Sequence, residues 1–511
     1  MIASRKRASA IDSVIHDERG WMMRGVICLA GWLLSGSAAL AGDKIAANVD
    51  AALKRGERAT VLVSLAQQAD LKSIVDKRRG DDRLVASVAR LRETAARTQA
   101  PLRAFLDARK VSYQAFWVAN FIALKADAEL VAALAARADV AAIELDSRLS
   151  GERPVEEFPA GLKAITAIEP GVTRVNAPSL WAMGFRGQNV LVAGQDTGYD
   201  WDHPALLRSY AGWDGGVAVH DYHWFDAIGS ANASCPANSP EPCDDNSHGT
   251  HTMGTMVGDD GGANQIGVAP GARWIGCRNM NAGNGTPTTY STCFQFFLAP
   301  TDRAGNNPDP LRAPHVINNS WGCPVSEGCT TPDILRTVVE NVRNAGVLVV
   351  ASAGNGGSAR STVAYPPAIY AASYSVGNLN GTSVSSSSSR GPVLVDGSSR
   401  LKPEISAPGT SVRSAVPGVG YGTKSGTSMA GPHVAGVAAL LMSVDPTLKR
   451  DPARVEALMS ATAVNDITTA QLCGGTQSPG TIPNNTFGHG RVDALNAARA
   501  GLGLLNASGF E

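Results

Sequence analysis

Three residues far apart in the chain have the types and settings that nucleophilic hydrolysis needs. Ser428 lies in Gly426-Thr427-Ser428-Met429-Ala430-Gly431-Pro432-His433-Val434-Ala435-Gly436, where a hydroxyl precedes a helix whose free N–H groups face a reacting centre. His248 lies in Ser247-His248-Gly249-Thr250-His251 and opens a second helix. Asp196 lies in Gln195-Asp196-Thr197-Gly198, after the apolar run 190–193. A serine hydroxyl is a weak nucleophile until a neighbouring base takes its proton. Histidine does this near neutral pH, and a buried carboxylate fixes its tautomer and steadies the imidazolium that forms. Each short motif alone is an ordinary turn. The order Asp, His, Ser, each in its extended context, points to acyl transfer. The remaining polar residues nearby receive structural roles: His203 and Asp200 in a turn, His251 about one turn past His248, and His433 inside the serine's helix.

The elements that must carry these residues read as a parallel sheet. Runs 190–193, 273–275, 316–317 and 347–350 are short, apolar and bounded by turn residues, with helical stretches at 334–344 and 429–442 between or after them. Buried strands alternating with helices imply a doubly wound α/β domain, whose functional residues gather beyond the carboxyl ends of its strands. Ahead of it, residues 43–150 alternate strand and helix on a smaller scale. A strand is expected at 61–65, a helix at 83–108, a strand over 115–125, a helix capped by Asp127 and a strand at 140–145. Residues 151–173, with Pro154, Pro159 and Pro170, read as a linker, and 174–505 as the larger domain.

Composition narrows the function. Apolar residues make up 44% and charged residues 18%, which suits a globular core. Lys plus Arg and Asp plus Glu both total 45, so no global field favours nucleic acid as a partner. Arg24, the apolar run 26–34 and Ala39-Leu40-Ala41 describe a secretory signal over 1–41, with Met22 or Met23 as an alternative start. The run falls short of the roughly 20 residues that span a bilayer, so no stable membrane anchor is expected. A secreted protein, extracellular or periplasmic, follows. Six of the eight cysteines cluster between Cys235 and Cys329. Their connectivity cannot be read from sequence, but short spacing favours Cys235–Cys243, Cys277–Cys293 and Cys323–Cys329, with Cys473 outside these pairs.

With these motifs in hand, the chain from about Val175 to Ala500 resembles the subtilases, the subtilisin-like serine peptidases. Two stretches are closest in texture to bacillopeptidase F-like members: Gly171-Val172-Thr173-Arg174-Val175-Asn176-Ala177-Pro178 and Asn264-Gln265-Ile266-Gly267-Val268-Ala269-Pro270. The resemblance implies a subtilisin-like fold and an endopeptidase acting on protein or peptide substrates, with Asp196, His248 and Ser428 as its triad. It implies that residues 42–150 are a propeptide, an inhibitor and folding aid removed by self-processing in or near the linker. It places the oxyanion donor at Asn355, where the strand 347–350 runs into Ala351-Ser352-Ala353-Gly354-Asn355. Asn318 and Asn319, before Ser320-Trp321-Gly322, are then left to strand-end hydrogen bonding. It also makes Ser320, Trp321, Gly322, Ala351, Ser352, Ala353, Gly354 and Ala364 the walls of a substrate pocket. None of these is acidic, so an apolar or aromatic residue is expected before the scissile bond.

No cofactor is required for such chemistry. A structural calcium ion is possible in the family, but the acidic residue that several members use after His-Pro is here Ala205, and Asp259, Asp260 and Asn264 equally suit a solvated turn. No metal ligand set is therefore assigned. The rival readings are a serine-carboxyl peptidase, which uses glutamate where His248 stands, and a secreted binding or scaffold protein on an inactive peptidase fold, against which all three triad residues stand.

Overall fold

The structure, a computed structural model, describes residues 44–56, 58–146, 168–470, 473 and 480–503. The expected signal segment and most of the expected linker lie outside these residues.

The N-terminal module runs α1 (Ala47–Lys54), β1 (Ala59–Leu65), α2 (Lys72–Lys77), α3 (Gly80–Ala108), β2 (Tyr113–Phe116), β3 (Phe121–Ala126), α4 (Ala128–Ala135) and β4 (Val140–Leu145). Its strands form an antiparallel sheet in the order β2-β3-β1-β4. Alternation along β1 splits its side chains between two faces. Val61, Val63 and Leu65 join Leu102, Leu106 and Leu134 in the module's own core. Leu62, with Phe121 and Ala123, joins the core of the larger body instead. Asp127 caps α4 by accepting from the Leu130 N–H at 3.0 Å. The single strand expected over 115–125 is a hairpin. Residues 117–120 turn, with Asn120 at φ 46°, and the apolar Trp117, Val118 and Ala119 hide that turn from a hydrophobicity pattern.

The body begins with α5 (Pro170–Arg174) and α6 (Ala177–Ala182), followed by β5 (Leu191–Asp196), β6 (Trp224–Asp226), α7 (His248–Val257), β7 (Arg273–Arg278), α8 (Pro287–Leu298), β8 (Val316–Asn319), α9 (Arg336–Asn344) and β9 (Leu348–Ser352). Then come β10 (Tyr374–Asn380), β11 (Ser383–Val384), β12 (Ile405–Pro408), β13 (Val412–Val416), β14 (Gly420–Lys424), α10 (Thr427–Val444), α11 (Pro452–Ala461) and α12 (Ala494–Gly501). The main sheet has the order β11-β10-β9-β8-β5-β7-β6, with β12 beside β10. Its pairings are parallel except β10 with β11.

Successive residues of one strand enter different cores. Val192, Val316 and Val350 pack with Met253 of α7 and Ala435 of α10. Ala193, Ile317 and Val349 pack with Phe294 of α8 and Val338 of α9. This is the doubly wound arrangement, and burial on both faces is why the strands read as unbroken apolar runs. The module forms an outer layer on α8 and α9. The Trp117 and Val118 N–H groups donate to Gln295 at 2.7 and 3.2 Å, and the Asn341 amide donates to the Val118 carbonyl at 2.7 Å.

Residues 168–173, read as the end of the linker, are built into the body. Ile168 bridges to Gln265, Glu169 pairs with Arg413 at 3.0 Å, and Val172 is fully buried. Disulfides join Cys235 to Cys243, Cys277 to Cys293 and Cys323 to Cys329, while Cys473 is buried outside these pairs. The helix Thr427–Val444 is long and apolar enough to cross a membrane, but it lies buried at the centre of the body.

Candidate active site

Asp196 ends β5 at the carboxyl edge of the sheet, and His248 begins α7 directly across from it. Gly249 permits this approach, because a Cβ there would lie 2.0 Å from the Gly198 carbonyl oxygen. The His248 Nδ1 and Asp196 Oδ1 atoms are 2.7 Å apart, and the Thr197 N–H donates to the same oxygen at 2.8 Å. Asp196 is 1% exposed. A buried carboxylate at Nδ1 holds the imidazole proton there and leaves Nε2 as the basic nitrogen.

Ser428 is the second residue of α10. Its hydroxyl donates to the Ser320 carbonyl at 3.1 Å, and the Ser320 hydroxyl donates to the Ser428 carbonyl at 2.8 Å. The end of β8 and the start of α10 are therefore pinned together. Transfer of the Ser428 proton to an imidazole requires its O–H to turn away from Ser320. Asn355 follows β9, and its amide oxygen accepts from the Thr427 N–H at 2.9 Å and the Thr427 hydroxyl at 3.1 Å. A backbone donor on that oxygen fixes the amide's orientation, which leaves the NH₂ as a donor beside Gly426. Asn319 is held in the strand ends. Its amide donates to the carbonyls of Ile317 and Val350 and accepts from Gln195 at 2.7 Å. Asn318 donates to the Ser320 hydroxyl at 2.8 Å.

The expected pocket residues divide by burial. Ala351 and Trp321 belong to the core between the sheet and α8, and Trp321 stacks on Tyr290 with centroids 3.9 Å apart. Ser320, Ser352 and Ala353 are also buried, whereas Gly354 and Ala364 are half-buried and Gly322 is exposed. Gly322 lies against Tyr365, and the next N–H, on Cys323, donates to the Pro366 carbonyl at 2.8 Å.

The neighbouring histidines serve the scaffold. His203 accepts from the Ala205 N–H at 3.1 Å, and its other nitrogen meets the Gly420 carbonyl at 2.9 Å. His251 meets the Val412 carbonyl at 3.0 Å, and burial pushes its pKa well below the usual histidine range. His433 donates to the Met429 carbonyl at 2.9 Å and is pushed down to about 4 by burial. Asp200 accepts from the Gly418 N–H at 2.7 Å and is pushed up to about 7 by burial and by Asp202 beside it.

Asp244 was missed by the motif reading. Its carboxylate accepts from the Thr197 hydroxyl at 2.8 Å, from the N–H and hydroxyl of Thr250 at 2.9 and 2.6 Å, and from the Asn246 and Ser247 N–H groups. It thus ties the segment of Asp196 to that of His248, while burial raises its pKa. The adjacent pair Asp244-Asp245 just before the histidine was the available signal. In the loop considered for calcium, Asp259 pairs with Arg186 at 3.2 Å, and Asp260 accepts from Gly262 and Asn264. Ala205 is fully buried. Among the described residues no group of three His, Cys, Asp or Glu side chains is placed to hold a metal.

Comparison with known proteins gives a consistent set of likenesses. The model of the subtilase family matches residues 187–490. Bacillopeptidase F of Bacillus subtilis (strain 168) is 33% identical over 495 residues, covering 90% of this chain and 32% of that protein. Subtilisin E of the same strain is 33% identical over 297 residues, 57% of this chain and 66% of that protein. M-protease of Shouchella clausii (strain KSM-K16) is 31% identical over 363 residues, 71% of this chain and 77% of that protein. The chain therefore spans about a third of the length of bacillopeptidase F.

Proposed function

The chain belongs to the subtilase family, and from that premise we propose that it is a secreted serine endopeptidase made as a self-processing precursor. The observation that carries the catalytic reading is the 2.7 Å contact between His248 and the buried Asp196, at the start of a helix that packs on the one whose N-terminus carries Ser428. The Ser428 oxygen attacks the peptide carbonyl carbon while its proton passes to His248 Nε2. Asp196 steadies the resulting imidazolium. The negative oxygen of the tetrahedral intermediate takes hydrogen bonds from the Asn355 NH₂ and the Ser428 N–H. His248 then protonates the departing amine, and water cleaves the acyl-enzyme by the same route. No cofactor enters these steps.

The N-terminal module serves as the propeptide in this reading. Its Asp146 accepts from the N–H and hydroxyl of Thr288, at 3.0 and 2.5 Å, in the first turn of α8. Glu144 accepts from the Thr331 hydroxyl at 2.5 Å. One face of the module also completes a core that the body shares. Cleavage is assigned between Asp146 and Ile168. The three disulfides favour an oxidising, extracytoplasmic location. Uncharged pocket walls favour an apolar or aromatic residue before the scissile bond.

Labelling with a fluorophosphonate probe tests the reading, since the probe needs an activated serine. The wild-type protein should be labelled and should shed its N-terminal module. Ser428→Ala should remain unlabelled and full-length, with kcat lower by about 10⁶, the scale of a nucleophile and base that act as one unit. An unlabelled, correctly folded wild-type protein would refute the proposal in favour of an inactive scaffold.

A further inference from the structure

Arg450 is a buried cation of the body whose counter-ion comes from the other unit. Its side chain is 2% exposed. The guanidinium donates to the carbonyls of Ala313, at 2.7 Å, and of Pro314, just before β8, and its Nε–H donates to Asp81 at 3.0 Å. Asp81 lies in the first turn of α3, and among the described residues it is the one carboxylate in ion-pair reach of Arg450. Lys449, the preceding residue, is half-buried and donates to the Asn189 carbonyl at 2.6 Å. Burial lowers the pKa of both cations, and in each case Asp81 is the carboxylate that opposes it. Both line a crevice of about 360 Å³ where α3 meets the body, and His315 lines it with them. His315 Nδ1 accepts from the Leu191 N–H at 3.1 Å, so the ring proton sits on Nε2. Burial and the two neighbouring cations push its pKa well below the usual histidine range and keep the ring neutral.

Removing one partner of a buried ion pair leaves the other charge uncompensated in a place water reaches poorly. Here two cations share a single carboxylate, so the crevice keeps a positive excess even with Asp81 in place. That carboxylate is held there by its own unit. Arg83, two residues further along α3, is buried and donates to the Asn344 and Arg343 carbonyls at 2.6 and 3.2 Å, which seats α3 on the last turn of α9. On the proposed function, on which this step rests, the module leaves at maturation and takes Asp81 with it.

We propose that Arg450, Lys449 and His315 form an oxyanion-binding site on the body, filled by Asp81 in the precursor and by a carboxylate or phosphate group once the module has gone. The set offers a guanidinium Nε–H, an ammonium and a neutral ring N–H, which are donors without a competing acceptor. The Ala313 and Pro314 carbonyls already fix the guanidinium, so little ordering remains to be done on binding.

The first test uses the full chain carrying Ser428→Ala, which stays intact whether or not the protein processes itself. Asp81→Ala in that chain vacates the site. Replacing chloride by phosphate or by acetate, at pH 7 and constant ionic strength, should raise its melting temperature by about 2 °C at a tenfold excess over the dissociation constant. The parent chain, with Asp81 in place, should not respond. Adding Lys449→Gln should abolish the rise without emptying the buried Arg450 position. A rise with phosphate alone supports a phosphate-selective site, and a rise with both ions supports one that takes carboxylates as well. No rise with either ion, or an equal rise in the parent chain, overturns the site. The processed body, inactivated by a fluorophosphonate, should show the same rise. A response confined to the full chain would assign the anion to the N-terminus of α3 and overturn the proposal. A protein that never processes itself fails the peptidase reading instead, and the full-chain result still decides the site.

Discussion

Acidification from pH 7 to 4 should weaken the body through His433, five residues beyond Ser428 on the same helix. Its ring is buried, donates to the Met429 carbonyl at 2.9 Å, and has its pKa pushed down to about 4. In the unfolded chain the same group titrates near ~6.5. Its folded pKa is thus depressed, so its contribution is fully present above ~6.5 and is lost as pH falls through about 4, because the unfolded state takes up a proton that the folded state refuses. With these two values the loss is about 2 kcal/mol at pH 5 and about 3 kcal/mol at pH 4. Urea unfolding of the Ser428→Ala protein, which avoids autolysis, measures it across this range. His433→Gln cannot titrate, so the difference in pH dependence between the two proteins isolates this group from every other acid and base. Identical pH dependence in both would refute the argument.

Three further outcomes follow from the geometry. Asn355→Ala should leave KM nearly unchanged and lower kcat by ~10²–10³ through loss of one oxyanion donor. Full activity there, with loss in Asn319→Ala, would move the oxyanion hole to the other asparagine. Peroxide should inactivate the enzyme through Met429, whose side chain is fully buried next to Ser428, with little change in melting temperature. A Met429→Ala variant that inactivates equally fast would show that core methionines such as Met442 and Met459 are responsible. Gly171→Ala should cost about 1–3 kcal/mol in thermal unfolding, because its Cβ would stand 2.3 Å from His433 Nε2 in a packed site. No loss of stability would mean that α5 is free to shift on the nucleophile helix.

Local patterns in the chain carried the motifs and most elements. Asp196, His248 and Ser428 each sit where an apolar run ends or a helix begins, and such punctuation depends on neighbours within a few residues. For the same reason β4 and the capped α4 were legible, and short spacing matched all three disulfides. What depended on distant partners was not. The turn at residues 117–120 is apolar because its outer surface is the α8–α9 face of another unit. Residues 168–173 look like linker, yet Glu169 finds Arg413 and Gly171 finds His433, each more than 240 residues away in sequence. Asp244, Asp245 and Arg278 were only charges in a string. Burial, and a geometry that brings β6, β7 and the loop before α7 together, turned them into a clamp. Tertiary structure alone decides such contacts, since a buried charge takes its role from whichever groups the fold brings within reach.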